Sequence, residues 1–148
     1  MTNQEKIKNI ALDTLHLESK SISNLSSIID SNFCNIINTL KDCQGKIVLT
    51  GIGKSAIIGM KISATLNSTG SKSIFLHLAD ALHGDMGVIS KEDVVICISK
   101  SGNTPEIKAL LPFIKNMGNA VIALTGNMDS FLANESDYTL DVSVEKEA

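Results

Sequence analysis

The hydrophobic positions change period near residue 46. Before it, Ile7, Ile10 and Ala11 begin a stripe that continues through Ile22, Leu25, Ile28, Ile29, Phe33, Ile36, Ile37 and Leu40 at spacings of three and four, the period of an amphipathic helix. This predicts helix over residues 4–43, split in two near the serines at 19–23. Part of the stripe is expected to cover a sheet. Its length and width leave apolar surface that a small domain does not hide alone, which points to a self-association face. After residue 46, short β-rich runs alternate with helical ones: KIVLT (46–50), a helix over about 54–68 closed by Gly70, SIFLH (73–77), DVVICIS (93–99), a helix from Pro105 to Met117, NAVIALT (119–125), a short helix over 128–134 and YTLDVSV (138–144). Strands that stay apolar along their length and alternate with helices form a parallel sheet covered on both faces. The expected fold class is therefore α/β, a three-layer αβα sandwich around a five-stranded parallel sheet. Ligands of such sheets bind at the carboxyl ends of the strands, so the segments after strands one, two, three and five are where chemistry is expected.

Composition narrows this picture without changing it. The 148 residues suit one domain, with helices over 4–43 and an α/β core over 46–148. A net charge of −3 and only 3% aromatic residues argue against a nucleic-acid surface, which needs a basic patch or stacking rings. Any anionic ligand must be held locally. Cys34, Cys43 and Cys97 are odd in number and form no C-x-x-C, which suits a reducing cytoplasm better than a disulfide framework or a zinc knuckle. The polar start MTNQEKIKN lacks the apolar core of a signal peptide, and no apolar run spans a bilayer; a soluble, cytoplasmic protein without membrane partners is expected.

Four constellations carry candidate chemistry. In Gly51-Ile52-Gly53-Lys54-Ser55, glycines between strand and helix let the backbone approach a ligand, and the helix N–H groups favour an anion. The Walker A spacing is absent, because Val48 stands where the first glycine would be. G-x-G-x-x-A is satisfied through Ala56, but Leu76-His77-Leu78 offers no acid for a ribose. Lys54 is either solvated or serves an anion, and a cation at a helix N-terminus favours the second reading. The second constellation is Ser99-Lys100-Ser101-Gly102-Asn103-Thr104-Pro105-Glu106. Thr104, Pro105 and Glu106 suit the start of a helix. Ser99 and Ser101 add hydroxyl donors beside free N–H groups, a second phosphate cradle. The third, His77 to Asp85, holds two histidines and two acids in the expected loop after strand two; these are metal ligands, proton-transfer groups or plain loop residues. The spacing fits no standard zinc motif and Ser55 has no G-x-S-x-G around it, so His83 as a substrate contact is the better reading. The fourth is Glu147, which follows the fifth strand at the carboxyl edge, where a carboxylate can move a proton beside a carbonyl.

GIGKS, HGDMG (83–87), S-x-SGNTPEI (99–107), ALTGN (123–127) and the ending VSVEKEA together resemble the sugar isomerase (SIS) domain of arabinose-5-phosphate isomerases. The likeness runs from about residue 5 to the end, with its motifs in the right order. It implies a single SIS domain over 1–148 with a flavodoxin- or Rossmann-like sheet. It also implies interconversion of D-arabinose 5-phosphate and D-ribulose 5-phosphate through an enediol, towards 3-deoxy-D-manno-octulosonate (Kdo) and lipopolysaccharide. By resemblance Lys54, Glu106 and Glu147 match catalytic positions, Ser99, Ser101 and Thr104 match phosphate-binding positions beside Ser55, and Gly70, Ser71, His77 and His83 match substrate contacts. His77 also matches a zinc-binding position; zinc in this family is more often inhibitory than required, so no required cofactor is expected. The family implies a homotetramer whose sites draw on neighbouring subunits. Leu78 and Asp80 stand where the family usually has proline and glutamate, and the family's later Ser/Thr-rich segment, long helix, catalytic histidine and paired cystathionine-β-synthase domains are not in this sequence. Two alternatives remain: a non-catalytic SIS module that binds a phosphosugar or nucleotide sugar, and an isomerase of another sugar phosphate.

Overall fold

The computed structural model of the protein describes residues 1–146. The β-branched run at Ile47 forms a central strand, β1 (Ile47–Gly51), every residue of which is buried. It pairs in parallel with β2 (Ser73–His77) on one side and β3 (Val94–Ile98) on the other, and β4 (Ala120–Thr125) and β5 (Tyr138–Asp141) continue the sheet in the order β2-β1-β3-β4-β5. Chain order reverses between β1 and β3, which makes their carboxyl ends, Gly51 and Ile98, the switch point of the sheet.

Helices cover both faces, as the continuous strand hydrophobicity requires. On one face α4 (Leu78–Leu82), α5 (Pro105–Met117) and α6 (Phe131–Glu135) bury Leu78, Ile107, Leu110, Leu111, Ile114 and Leu132 against Val48, Val95, Cys97 and Val121. On the other, α2 (Ser31–Lys41) and α3 (Lys54–Ser68) set Ile36, Leu40, Ile62 and Leu66 against Leu49, Ile96 and Ile122. The bounds of α3 and α5 are those the sequence predicts. After α3, Gly70 takes φ +91°, with its N–H on Asn67 and that of Ser71 on Leu66. This is a Schellman closure, so the requirement for glycine at 70 is met by helix termination.

Four expectations change. The serines do not break the first helix: α1 runs from Asn3 to Asn24, and Ser21 sits within it with its hydroxyl donated to the Leu17 carbonyl one turn back. The break falls after it, in the 3-10 turn Leu25–Ile28, and α2 restarts where Asp30 accepts the Phe33 N–H. Second, the stripe divides: Ile36 and Leu40 of α2 cover the sheet as expected, while α1 buries none of its residues. Third, β5 stops at Asp141, whose carboxylate accepts the Ser143 N–H in a turn. Fourth, the segment after β2 is helix, with His77 at its N-cap, followed by a 3-10 turn over Asp85–Val88. Among the described residues no helix is long and apolar enough to cross a membrane.

Candidate functional site

Both turns at the switch point are built for close approach. β1 ends on Gly51, where a Cβ would lie 3.1 Å from the Ile98 carbonyl and 3.3 Å from the Ser55 Cβ. Gly53 then enters α3 at φ +58° without a side-chain cap, and Lys54 follows as the exposed first residue of the helix. The N–H groups of that first turn therefore face the ligand side of the sheet unsatisfied by a capping side chain.

Across from it, the chain leaving β3 forms the Ser99–Thr104 loop. Ser99 is buried and its Oγ accepts the Gly102 N–H at 3.1 Å. Gly102 has φ +63°, and a Cβ there would collide with the Ser130 side chain; only glycine suits both demands. Thr104 is the N-cap of α5 in position but its side chain makes no capping hydrogen bond. Its Oγ1 is buried and takes no partner among the described residues, an arrangement that costs free energy unless a ligand supplies one. Ser55, Ser99, Lys100, Ser101, Thr104 and Gly126 line a cleft of about 450 Å³ between the two turns.

A second loop holds the first in place. Gly126 N–H and Thr125 Oγ1 both donate to the Lys100 carbonyl, at 3.0 and 3.2 Å. Asn127 donates to the Ser101 carbonyl, Asn103 accepts the Phe131 N–H, and Leu132 N–H donates to the Gly102 carbonyl. Sequence reasoning assigns no role to this 125–132 segment. The available signal is ALTGN, a strand end followed by turn residues at the same edge of the sheet.

The structure brings Ser55, Ser99, Ser101 and Thr104 together in the cleft, and places Glu106 half-buried in the first turn of α5. His77 ends β2 in register with Gly51, one strand away. Its Nδ1 accepts the Ala79 N–H at 3.3 Å, so Nε2 is the nitrogen left for a ligand. Its ring lies edge-on to Phe75. His83 is exposed at the end of α4. Gly70 and Ser71 are not part of this cluster. They precede β2 and lie at the amino edge, a strand length of roughly 16 Å from the carboxyl edge. Glu147 lies outside the described residues. No group of three His, Cys, Asp or Glu side chains is placed to hold a metal among the described residues.

The profile of the SIS domain family matches residues 40–148. An arabinose 5-phosphate isomerase KdsD from Pseudomonas aeruginosa is 46% identical over 135 residues, covering 91% of this chain and 41% of the relative. An arabinose 5-phosphate isomerase KpsF from Escherichia coli O6:H1 is 45% identical over 135 residues, covering 90% of this chain and 41% of the relative. The chain thus spans less than half the length of these curated relatives. A solved Escherichia coli CFT073 protein, described in complex with arabinose 5-phosphate, superposes with a TM-score of 0.90 at 44% identity over 99% of this chain and 78% of the other.

Proposed function

The chain belongs to the SIS domain family, and from that premise we propose that it is the sugar-phosphate module of an aldose–ketose isomerase that interconverts D-arabinose 5-phosphate and D-ribulose 5-phosphate. The observation that carries the reading is the orphaned Thr104 Oγ1 in a cleft lined by three serines at the N-terminus of α5. That hydroxyl sits beside the serine hydroxyls at the place where a sheet of this topology takes its ligand. The names of the relatives support the choice of sugar phosphate.

In the proposed mechanism Ser99, Ser101, Thr104 and the α5 N-terminus hold the phosphate, with Ser55 facing them from α3. Fixing that end presents C1 and C2 to the groups on the neighbouring strands, which is catalysis by positioning. A carboxylate, Glu106 or Glu147, takes the proton from one carbon and returns it to the other. Lys54 stabilises the enediolate oxygen as its charge develops, and His77 Nε2 or His83 assists ring opening. Gly70 and Ser71, at the far edge of their own sheet, meet substrate in this scheme only from another copy of the chain. We accordingly propose a homotetramer, acting in the cytoplasm towards Kdo and lipopolysaccharide.

The test is conversion of D-arabinose 5-phosphate to D-ribulose 5-phosphate. It is run with the chain and with a fusion that carries it through the remaining length of the Pseudomonas aeruginosa relative. Turnover in the fusion with sugar-phosphate binding in the chain alone is the expected pattern. Lys54→Ala should cut turnover by about 10²–10³ with an unchanged melting temperature; near-normal turnover would remove Lys54 from the mechanism.

A further inference from the structure

Three pieces of backbone meet at the end of β4: the Ser99–Thr104 loop, the 125–126 turn and the stretch that follows β5. Thr125 stands at their junction. It is fully buried, and its Oγ1 has two partners at 3.2 Å, the Lys100 carbonyl and the Asn127 N–H. A carbonyl only accepts and an N–H only donates, so the single hydroxyl proton is committed to Lys100 and a lone pair to Asn127. The Thr125 carbonyl in turn accepts the Val142 N–H at 2.9 Å, which ties the chain beyond β5 to the same residue.

The fit around this junction is close. A Cβ on Gly102 would lie 3.0 Å from Thr125 Oγ1, and one on Gly126 would lie 3.3 Å from the Lys100 carbonyl and 3.7 Å from the Ser143 Cα. We propose that Thr125 is a positioning residue of the reaction: its hydroxyl sets the phosphate loop, and its carbonyl sets the segment that runs on from β5 towards Glu147, in one fixed register. Thr125 acts through the loop, because its hydroxyl has no proton left for a ligand. The phosphate anchor and the chain leading to a candidate base thereby share one reference point. Releasing the loop from that point both weakens the grip on phosphate and displaces the reacting carbons from the base, and small displacements of that kind are costly to catalysis by positioning.

The inference rests on the phosphate-cleft reading, and the experiment separates their failures. Inorganic phosphate and D-arabinose 5-phosphate are titrated calorimetrically into the chain and its Thr125→Val, Thr125→Ser and Ser73→Ala variants, and turnover is followed in the fusion carrying the same changes. Valine keeps the shape of threonine without the hydroxyl, and serine keeps the hydroxyl. Ser73→Ala removes a buried hydroxyl pair, Ser73 with Ser63, at the amino edge. Thr125→Val should bind both phosphates about tenfold more weakly, the scale of one lost hydrogen bond, and its kcat should fall about tenfold as well. Thr125→Ser should match wild type in both, and Ser73→Ala should lower the melting temperature with affinity and kcat unchanged. Wild type binding neither phosphate would overturn the cleft reading and this inference with it. Wild type binding with Thr125→Val unchanged would leave the cleft standing and remove Thr125. A raised KM with kcat intact in Thr125→Val would overturn the shared register. A Thr125→Ser variant as weak as Thr125→Val, or an equal loss in Ser73→Ala, would overturn the role of the hydroxyl by showing an effect of packing or of general stability.

Discussion

At the scale of single residues, a buried and paired charge sits at the opposite edge from the chemistry. Asp93 precedes β3 and is buried, with its carboxylate accepting the Lys46 and Ser90 N–H groups at 2.9 and 2.7 Å and the Lys46 ammonium at 2.6 Å. Burial alone would raise its pKa, but the hydrogen bonds from Lys46 and Ser90 outweigh it and hold the carboxyl below its ordinary 3.8. A depressed carboxyl contributes stability that is present above its unfolded value and lost as pH falls through the folded one. The acid limb of the stability curve below pH 3.8 should therefore be steeper in wild type than in Asp93→Asn, as read from urea midpoints. Asp93→Ala, which strands two backbone donors and a lysine, should cost about 3 kcal/mol at neutral pH. Equal acid slopes in wild type and Asp93→Asn would show that other carboxylates govern the limb. The sequence holds no sign of this clamp's Lys46 half, since that partner is 47 residues away in the chain and meets Asp93 only once β1 and β3 pair. Cys97 shows the reverse case: burial pushes its thiol up to about 12, and its place inside an apolar strand makes that legible from sequence.

At the scale of elements, legibility follows how local the cause is. The strand cores and the bounds of α3 and α5 are readable because hydrophobic period, Pro105 at N1 and glycine closures are written into adjacent residues. The early stop of β5 and the helix after β2 escape the pattern because each turns on one side chain choosing a backbone partner: Asp141 on Ser143, His77 on Ala79. The Ser99–Thr104 loop lies between these cases. Its hydroxyls are legible and its scaffold is not, since Gly102, Asn103 and Lys100 are held by residues 125–132. Gly102→Ala tests that scaffold. It places a Cβ at φ +63° against Ser130, so about 2 kcal/mol of stability should be lost. Phosphate affinity should fall with it as the loop shifts, measured by thermal unfolding and phosphate titration. Loss of stability with affinity intact would mean that the cleft does not depend on the clamp.

For the whole molecule, α1 poses the remaining problem. A 22-residue helix that buries nothing of its own is marginal in water. An ion pair, Lys20–Glu145, ties it to the C-terminal segment, exposed at both ends and worth at most about 1 kcal/mol. Ile7, Leu15 and Ile22, on one helical face, are 60%, 60% and 69% exposed. Ile57, Ile58 and Met60 form a second exposed apolar group on α3, the helix that begins at the site and ends at Gly70. The displaced Gly70 and Ser71 make the same demand from the side of chemistry, since the proposed site needs them from another copy. The proposed self-association answers both, and it ties assembly to activity. Sedimentation should find wild type oligomeric, and Ile7→Lys with Leu15→Lys should shift it towards monomer with a loss of far-UV helicity, because α1 then has nothing to pack on. In the fusion used for turnover, the same pair should lower activity in proportion to the monomer fraction, although neither residue lies near the cleft. A monomeric wild type, or a monomeric variant with full turnover, would separate assembly from the site and leave Gly70 and Ser71 as helix closure alone.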